Sequence, residues 1–145
     1  MKKALIMALM LLCGIALDAS AQIDEATAAK RAARRNMVVK EWNTDAKTKT
    51  KWMDRVTTYN DKGEKLEEIE YNRYGQAWRK TFEYGPNGKI VKETEYDDRD
   101  KVVMIRKFEH NPDNTKKKQY NYSPKGHLLT VKIFEYSYDG PEAEN

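Results

Sequence analysis

The chain is poor in almost everything from which catalytic sites and thick cores are built. Among its 145 residues there is one cysteine, Cys13, and two histidines, His110 and His127. Beyond residue 21 there is no cysteine at all, which excludes disulfides and thiol chemistry there and suits an oxidising compartment. The two histidines are 17 positions apart and keep none of the usual metal-ligand spacings. Serine in the same region is limited to Ser123 and Ser137, each at an expected turn or strand end. No glycine-rich phosphate loop, nucleophile elbow or kinase signature occurs. Large aliphatic and phenylalanine side chains are also scarce. From Gln22 onward Leu, Ile, Val and Phe make up 18 of 124 residues, a level at which a thick core is not expected.

Long apolar runs are absent too, with one short exception. Residues 4–17 are almost wholly apolar, but about 14 residues fall short of the roughly 20 needed to span a bilayer. Lys2 and Lys3 precede this run and Ala19-Ser20-Ala21 follows it. Basic start, apolar run and small-residue site together predict a secretory signal peptide over residues 1–21, with no membrane span after cleavage. Cys13 follows Leu12 rather than a small residue and lies inside the run, so it does not fit a lipid-anchor cysteine. Charge of one sign is not concentrated anywhere. The net charge is +4 and the pI about 9.0, yet lysine and arginine alternate with carboxylates. Together with export, that argues against a nucleic-acid partner.

What the chain does have is a repeat and turn chemistry. Six segments end alike, at Ile69-Glu70-Tyr71, Phe82-Glu83-Tyr84, Thr94-Glu95-Tyr96, Phe108-Glu109-His110, Tyr120-Asn121-Tyr122 and Phe134-Glu135-Tyr136. Their ends are 12–14 residues apart. Asn-, Asp-, Gly- or Pro-rich stretches follow, among them Asn60-Asp61-Lys62-Gly63 and Ser123-Pro124-Lys125-Gly126. Such a period holds one strand and one tight turn and is too short for a strand plus a helix. Strands joined by tight turns run antiparallel. The sequence therefore predicts an all-β antiparallel meander of about eight strands, near 37–42, 51–59, 64–71, 76–84, 89–96, 101–110, 115–122 and 127–136. The repeat domain occupies residues 37–138, as a curved sheet, open or partly closed. Residues 22–36 carry strong helix formers with Asp24 as a cap, and read as a short helix or mobile leader. Residues 139–145 read as a disordered tail.

Side-chain alternation, counted back from each terminal aromatic, predicts one aromatic face edged with lysines and an opposite face of carboxylates. Leu66, Val91, Ile105 and Val131 are then expected on the carboxylate face. The lysine-rich segment 115–122 is expected to guard a sheet edge.

The Tyr59-Asn60-Asp61-Lys62-Gly63-Glu64-Lys65-Leu66 stretch and the recurrent F-E-Y endings resemble the tyrosine-rich YD (Rhs-type) β-repeats. With the leader and so few strands, the chain looks more like the small secreted tyrosine-rich β-repeat proteins of Bacteroidetes-type bacteria, a family of unknown function. The resemblance covers residues 37–138 and implies a β-repeat fold, with no catalytic residues or cofactor to carry over.

The residues expected to bind a ligand are Trp52, Tyr74, Trp78, Lys80 and Tyr96, because exposed aromatics can stack on rings while lysines attract anions. The expected function is an exported, non-enzymatic module, periplasmic or surface-associated, that recognises an envelope protein or glycan through a sheet face or edge. Two other classes stay open: a small hydrolase using paired carboxylates, and an immunity- or inhibitor-like protein acting by its edge. The Asp97-Asp98-Arg99-Asp100 run lacks the glycine of a calcium loop and contains a cation, so no metal is assigned.

Overall fold

A computed structural model describes residues 24–137. The signal-peptide assignment and the tail from 139 onward fall outside the described residues. One helix, α1 (Glu25–Ala32), precedes eight strands: β1 (Val38–Thr44), β2 (Lys51–Tyr59), β3 (Lys65–Asn72), β4 (Gly75–Tyr84), β5 (Ile90–Tyr96), β6 (Val102–His110), β7 (Lys116–Tyr122) and β8 (Leu128–Ile133). Each strand pairs antiparallel with the next in one sheet, in chain order from β1 to β8, and the sheet is open.

The meander follows from the turns. In five of them the first residue's N–H bonds the carbonyl of the fifth, and the fourth residue's N–H bonds the carbonyl of the first. The fourth residue is left-handed in every case: Gly63, Gly88, Asp100, Asn114 and Gly126. Asp and Asn are the side chains that best tolerate that conformation after glycine. Polar side chains complete the turns: Asn60 Oδ1 accepts from the N–H of Lys62 and Glu64, and Asp97 Oδ1 from those of Arg99 and Lys101.

Next to each of the six turns joining β2 through β8, one residue is inserted into the incoming strand. Tyr84 opposes Ile90 but Glu83 opposes Lys92, so Val91 is extra. The same shift makes Leu66, Ala77, Val103, Lys117 and Leu129 extra in their hairpins. These are β-bulges, and a one-residue shift moves a strand's side chains to the other face.

That corrects the expected division of faces. One face, here the front, carries Tyr96, Thr94 and Lys92 of β5 opposite Arg79, Thr81 and Glu83 of β4. The back carries Phe82 and Lys80 of β4 opposite Glu93 and Glu95 of β5. Each strand thus lays its aromatic set beside its neighbour's carboxylate set, and the aromatic sets alternate between faces.

No hydrophobic residue is fully buried among the described residues; the buried polar side chains are Thr57, Glu64 and Thr94. The sheet is a single layer whose strands touch only their sequential neighbours. Stability rests on cross-strand pairs, each contributing roughly 0.2–1 kcal/mol. A second expectation also fails. β7, the lysine-rich strand, lies inside the sheet between β6 and β8, and the edge is the apolar β8. The segment 115–122 reads as an edge guard only when its place in the strand order is unknown.

Helix α1 is docked. Asp24 caps it, accepting from the Thr27 N–H at 2.8 Å, and Glu25 at the start and Lys30 and Arg31 at the end suit the helix dipole. Its last turn sits on two sheet turns. Arg31 donates to Gly88 O at 2.7 Å and to Glu64 Oε1 at 3.3 Å. A Cβ on Gly63 would lie 1.9 Å from the Arg31 carbonyl oxygen. Gly63→Ala is therefore expected to undock α1 and destabilise the sheet by more than the roughly 1–2 kcal/mol that a left-handed alanine costs. Gly126→Ala, whose Cβ meets nothing within 4 Å, serves as the control and should show only that cost in urea unfolding.

Candidate functional site

The five residues expected to form a binding strip are dispersed over four places. Trp78 and Lys80 are on the back of β4, with the Lys80 ammonium 4.8 Å from the Trp78 ring centre. Tyr96 is on the front of β5, with the Arg79 guanidinium 3.8 Å above its ring. Tyr74 is at the tip of the β3–β4 turn and is 99% exposed. Trp52 is on β2, 5.0 Å from the Arg73 guanidinium, beside a 390 Å³ cleft that Asp45 and Thr48 also line. The bulge in the β4–β5 hairpin is what separates Tyr96 from Trp78 and Lys80.

Charge networks tie the middle of the sheet. On the back, Arg106 holds Glu93 and Glu95, each at 2.7 Å, and Lys80 is 3.8 Å from Glu93. On the front, Arg79 holds Glu67 at 3.1 Å and Asp100 at 2.9 Å. Gln76 adds bonds to Asp97 O and Asp100 Oδ1, so the β3–β4 and β5–β6 hairpins are laced together. The Asp97–Asp100 run is thus a turn in which the Asp97 and Asp100 carboxylates are occupied by backbone, arginine and amide donors.

A large concave surface among the described residues is also on the front. It is an open trough of 750 Å³ running from β4 to β7, within the range of small-ligand clefts. Val91, Ile105, Tyr120 and Tyr122 give it an apolar and aromatic lining, and Lys92 and Lys107 cross it. Tyr120 donates its hydroxyl to Glu109 at 2.7 Å, and this bond raises the phenol's pKa above the ordinary value. The sequence reading missed this group. Alternation counted back from Tyr96 and His110 separates Lys92 from Lys107, whereas the bulge at Val103 sets them side by side. His110, which takes a tyrosine position in the repeat, has its pKa pushed down by partial burial and by Lys89 and Lys116.

No family model matches the chain, and no curated protein matches it. Among solved structures, one of the accessory secretory protein 1, 2 and 3 assembly from Streptococcus pneumoniae is similar at 23% identity with a TM-score of 0.35. The match covers 66% of this chain and 17% of that one. No helix among the described residues is long and apolar enough to cross a membrane.

Backbone hydrogen bonds hold the Asp97 carboxyl below its usual pKa. A carboxylate with a depressed folded-state value stabilises the fold above its unfolded value, and that stability is lost as pH falls through the folded one. Asp97→Asn keeps the acceptor oxygen, as Asn60 does at the equivalent position. The variant is expected to lose less stability than the wild type between about pH 4 and pH 2 in thermal melts. Arg106→Met should cost about 1–3 kcal/mol in urea unfolding, because Glu93 and Glu95 lose their shared cation.

Proposed function

We propose that the protein is an exported, non-enzymatic binding module of the cell envelope, periplasmic or surface-associated, that receives an extended strand of a partner protein along β8. The observation that carries this is the state of that edge. All six residues of β8 are exposed, and Leu128, Leu129, Val131 and Ile133 are 44–63% exposed. Lys132 is its one charged residue. Natural sheet edges are normally blunted by charge, proline or a covering segment, and an apolar open edge is the arrangement that β-strand addition uses. The other edge, β1, carries Lys40 and Glu41.

Export rests on the basic, apolar and Ala-Ser-Ala composition of residues 1–21. The repeat's likeness to small secreted tyrosine-rich β-repeat proteins agrees with this reading. The trough's carboxylates support a non-enzymatic role. Glu83 is bound by Lys92 at 2.7 Å and Glu109 by the Tyr120 hydroxyl at 2.7 Å, both on an exposed surface.

The backbone offers a clean test. Phe134 N donates to Lys117 O, and bonded and non-bonded pairs alternate in an antiparallel ladder. The Val131 N–H therefore points away from β7. Val131→Pro removes one outward donor and leaves the β7–β8 ladder intact. The variant is expected to keep its far-UV spectrum and to lose a saturable envelope partner that the wild-type protein captures and cross-links through β8. Equal capture by both proteins, or turnover of an envelope polymer by the purified protein, contradicts the proposal.

A further inference from the structure

Directly opposed charges across this sheet obey one rule. Glu41 faces Arg55, Arg55 faces Glu70, Glu68 faces Lys80, and Lys80 faces Glu95. Glu83 faces Lys92, Glu93 faces Arg106, and Glu109 faces Lys118. The exception is Lys92 opposite Lys107. Like charges at this position lie about 4.5–5.5 Å apart at Cβ and destabilise the pair. Lys92 is balanced by Glu83 at 2.7 Å. Lys107 has no carboxylate within 4.0 Å among the described residues, and its ammonium is 5.3 Å from the Tyr122 ring centre. Departures from an otherwise consistent pairing pattern tend to mark functional positions.

This exception lies inside the front trough. Tyr120 is directly opposite Lys107, and Tyr122 directly opposite Ile105. One ammonium without a carboxylate partner, that of Lys107, thus sits beside two tyrosine rings in an open channel that Glu83 and Glu109 also line. The channel crosses four strands, or three spacings of about 4.8 Å, roughly 14 Å in all. That length and openness suit several linked rings and do not enclose a single small molecule.

We propose that the front trough binds an acidic polysaccharide, with a sugar-ring carboxylate or phosphate between Lys92 and Lys107 and the ring faces on Tyr120 and Tyr122. Bound anion offsets the repulsion that the free sheet carries. The inference names a ligand class for the binding module proposed above, but uses a different surface from the β8 edge.

The test uses the full chain, processed as the cell processes it, with polygalacturonate as the acidic glycan. An uncharged glucan and poly-L-glutamate of matched length are the comparison probes, and binding is followed by calorimetry at low and high salt. Polygalacturonate is expected to bind with a salt-sensitive affinity at least tenfold above that of either comparison probe. Lys107→Glu should lower that affinity at least tenfold while raising Tm by roughly 1–5 °C, because the repulsive pair becomes an attractive one. Lys132→Glu, on the back face, should leave binding unchanged. Equal affinity for poly-L-glutamate would identify an acidic-polypeptide surface instead and overturn the proposal. Absence of polygalacturonate binding, or unchanged affinity in Lys107→Glu, also overturns it. Loss of the trough site with β8 capture intact would leave the edge reading standing.

Discussion

A sheet with nothing packed on either side has to cover both faces with its own side chains. Ordinary domains bury apolar surface between two layers. Here no hydrophobic side chain is fully buried among the described residues, so the lateral contact between neighbouring strands is the main source of order. Such contacts are individually small and add up only if the register is the same along the whole hairpin. The arginine stacked on Tyr96, the Arg106 bridge to Glu93 and Glu95, and the lysines over Phe82, Phe108 and Phe134 are all contacts of this kind. Long basic stems suit the task because their methylenes cover rings while the charge stays wet.

The bulges make this covering possible. Without the extra residue, the lysine-bearing aromatic sets of adjacent strands would fall on one face, with Lys92 against Phe82 and Lys80 against Thr94. With it, Lys92 faces Glu83 and Lys80 faces Glu95. The inserted residue in this hairpin therefore sets each lysine against a carboxylate, and bulges add twist that a flat single layer would lack. The turn ends reinforce the same plan. Asn87 reaches Asn114 on one end, and Gln76 reaches the Asp97–Asp100 turn on the other. Helix α1 braces the first of those ends through Arg31.

Much of the fold was legible because turn chemistry is local. Asn60 with Gly63, Asp97 with Asp100, and Ser123 with Gly126 announce chain reversals in a few residues each, and the strands between them begin and end close to where the period puts them. The final strand is the clearest miss. The strand ends at Ile133, although the Phe134 N–H still donates to Lys117 O and Tyr136 reaches Lys116 O through its hydroxyl. Asp24 is visible as a cap for the same local reason. The faces were not legible, since a bulge at Leu66 or Val91 has no mark in the sequence beyond an ordinary apolar residue. Alternation counted through it comes out inverted on every second strand. The candidate site inherited that error. Trp78 and Tyr96 looked like one strip and are on opposite faces, whereas Lys92 and Lys107 looked separate and are neighbours. Which strand forms the edge was equally hidden, because strand order is a non-local property and β7's lysines resemble a guard.

The register of the β4–β5 hairpin is the most direct measurement of all this. Inter-strand Hα and amide NOEs in the labelled protein should place Tyr84 against Ile90 and Glu83 against Lys92, with Val91 unpaired. NOEs that pair Glu83 with Val91 and Phe82 with Lys92 in an uninterrupted ladder would remove the bulge and contradict the alternation of faces.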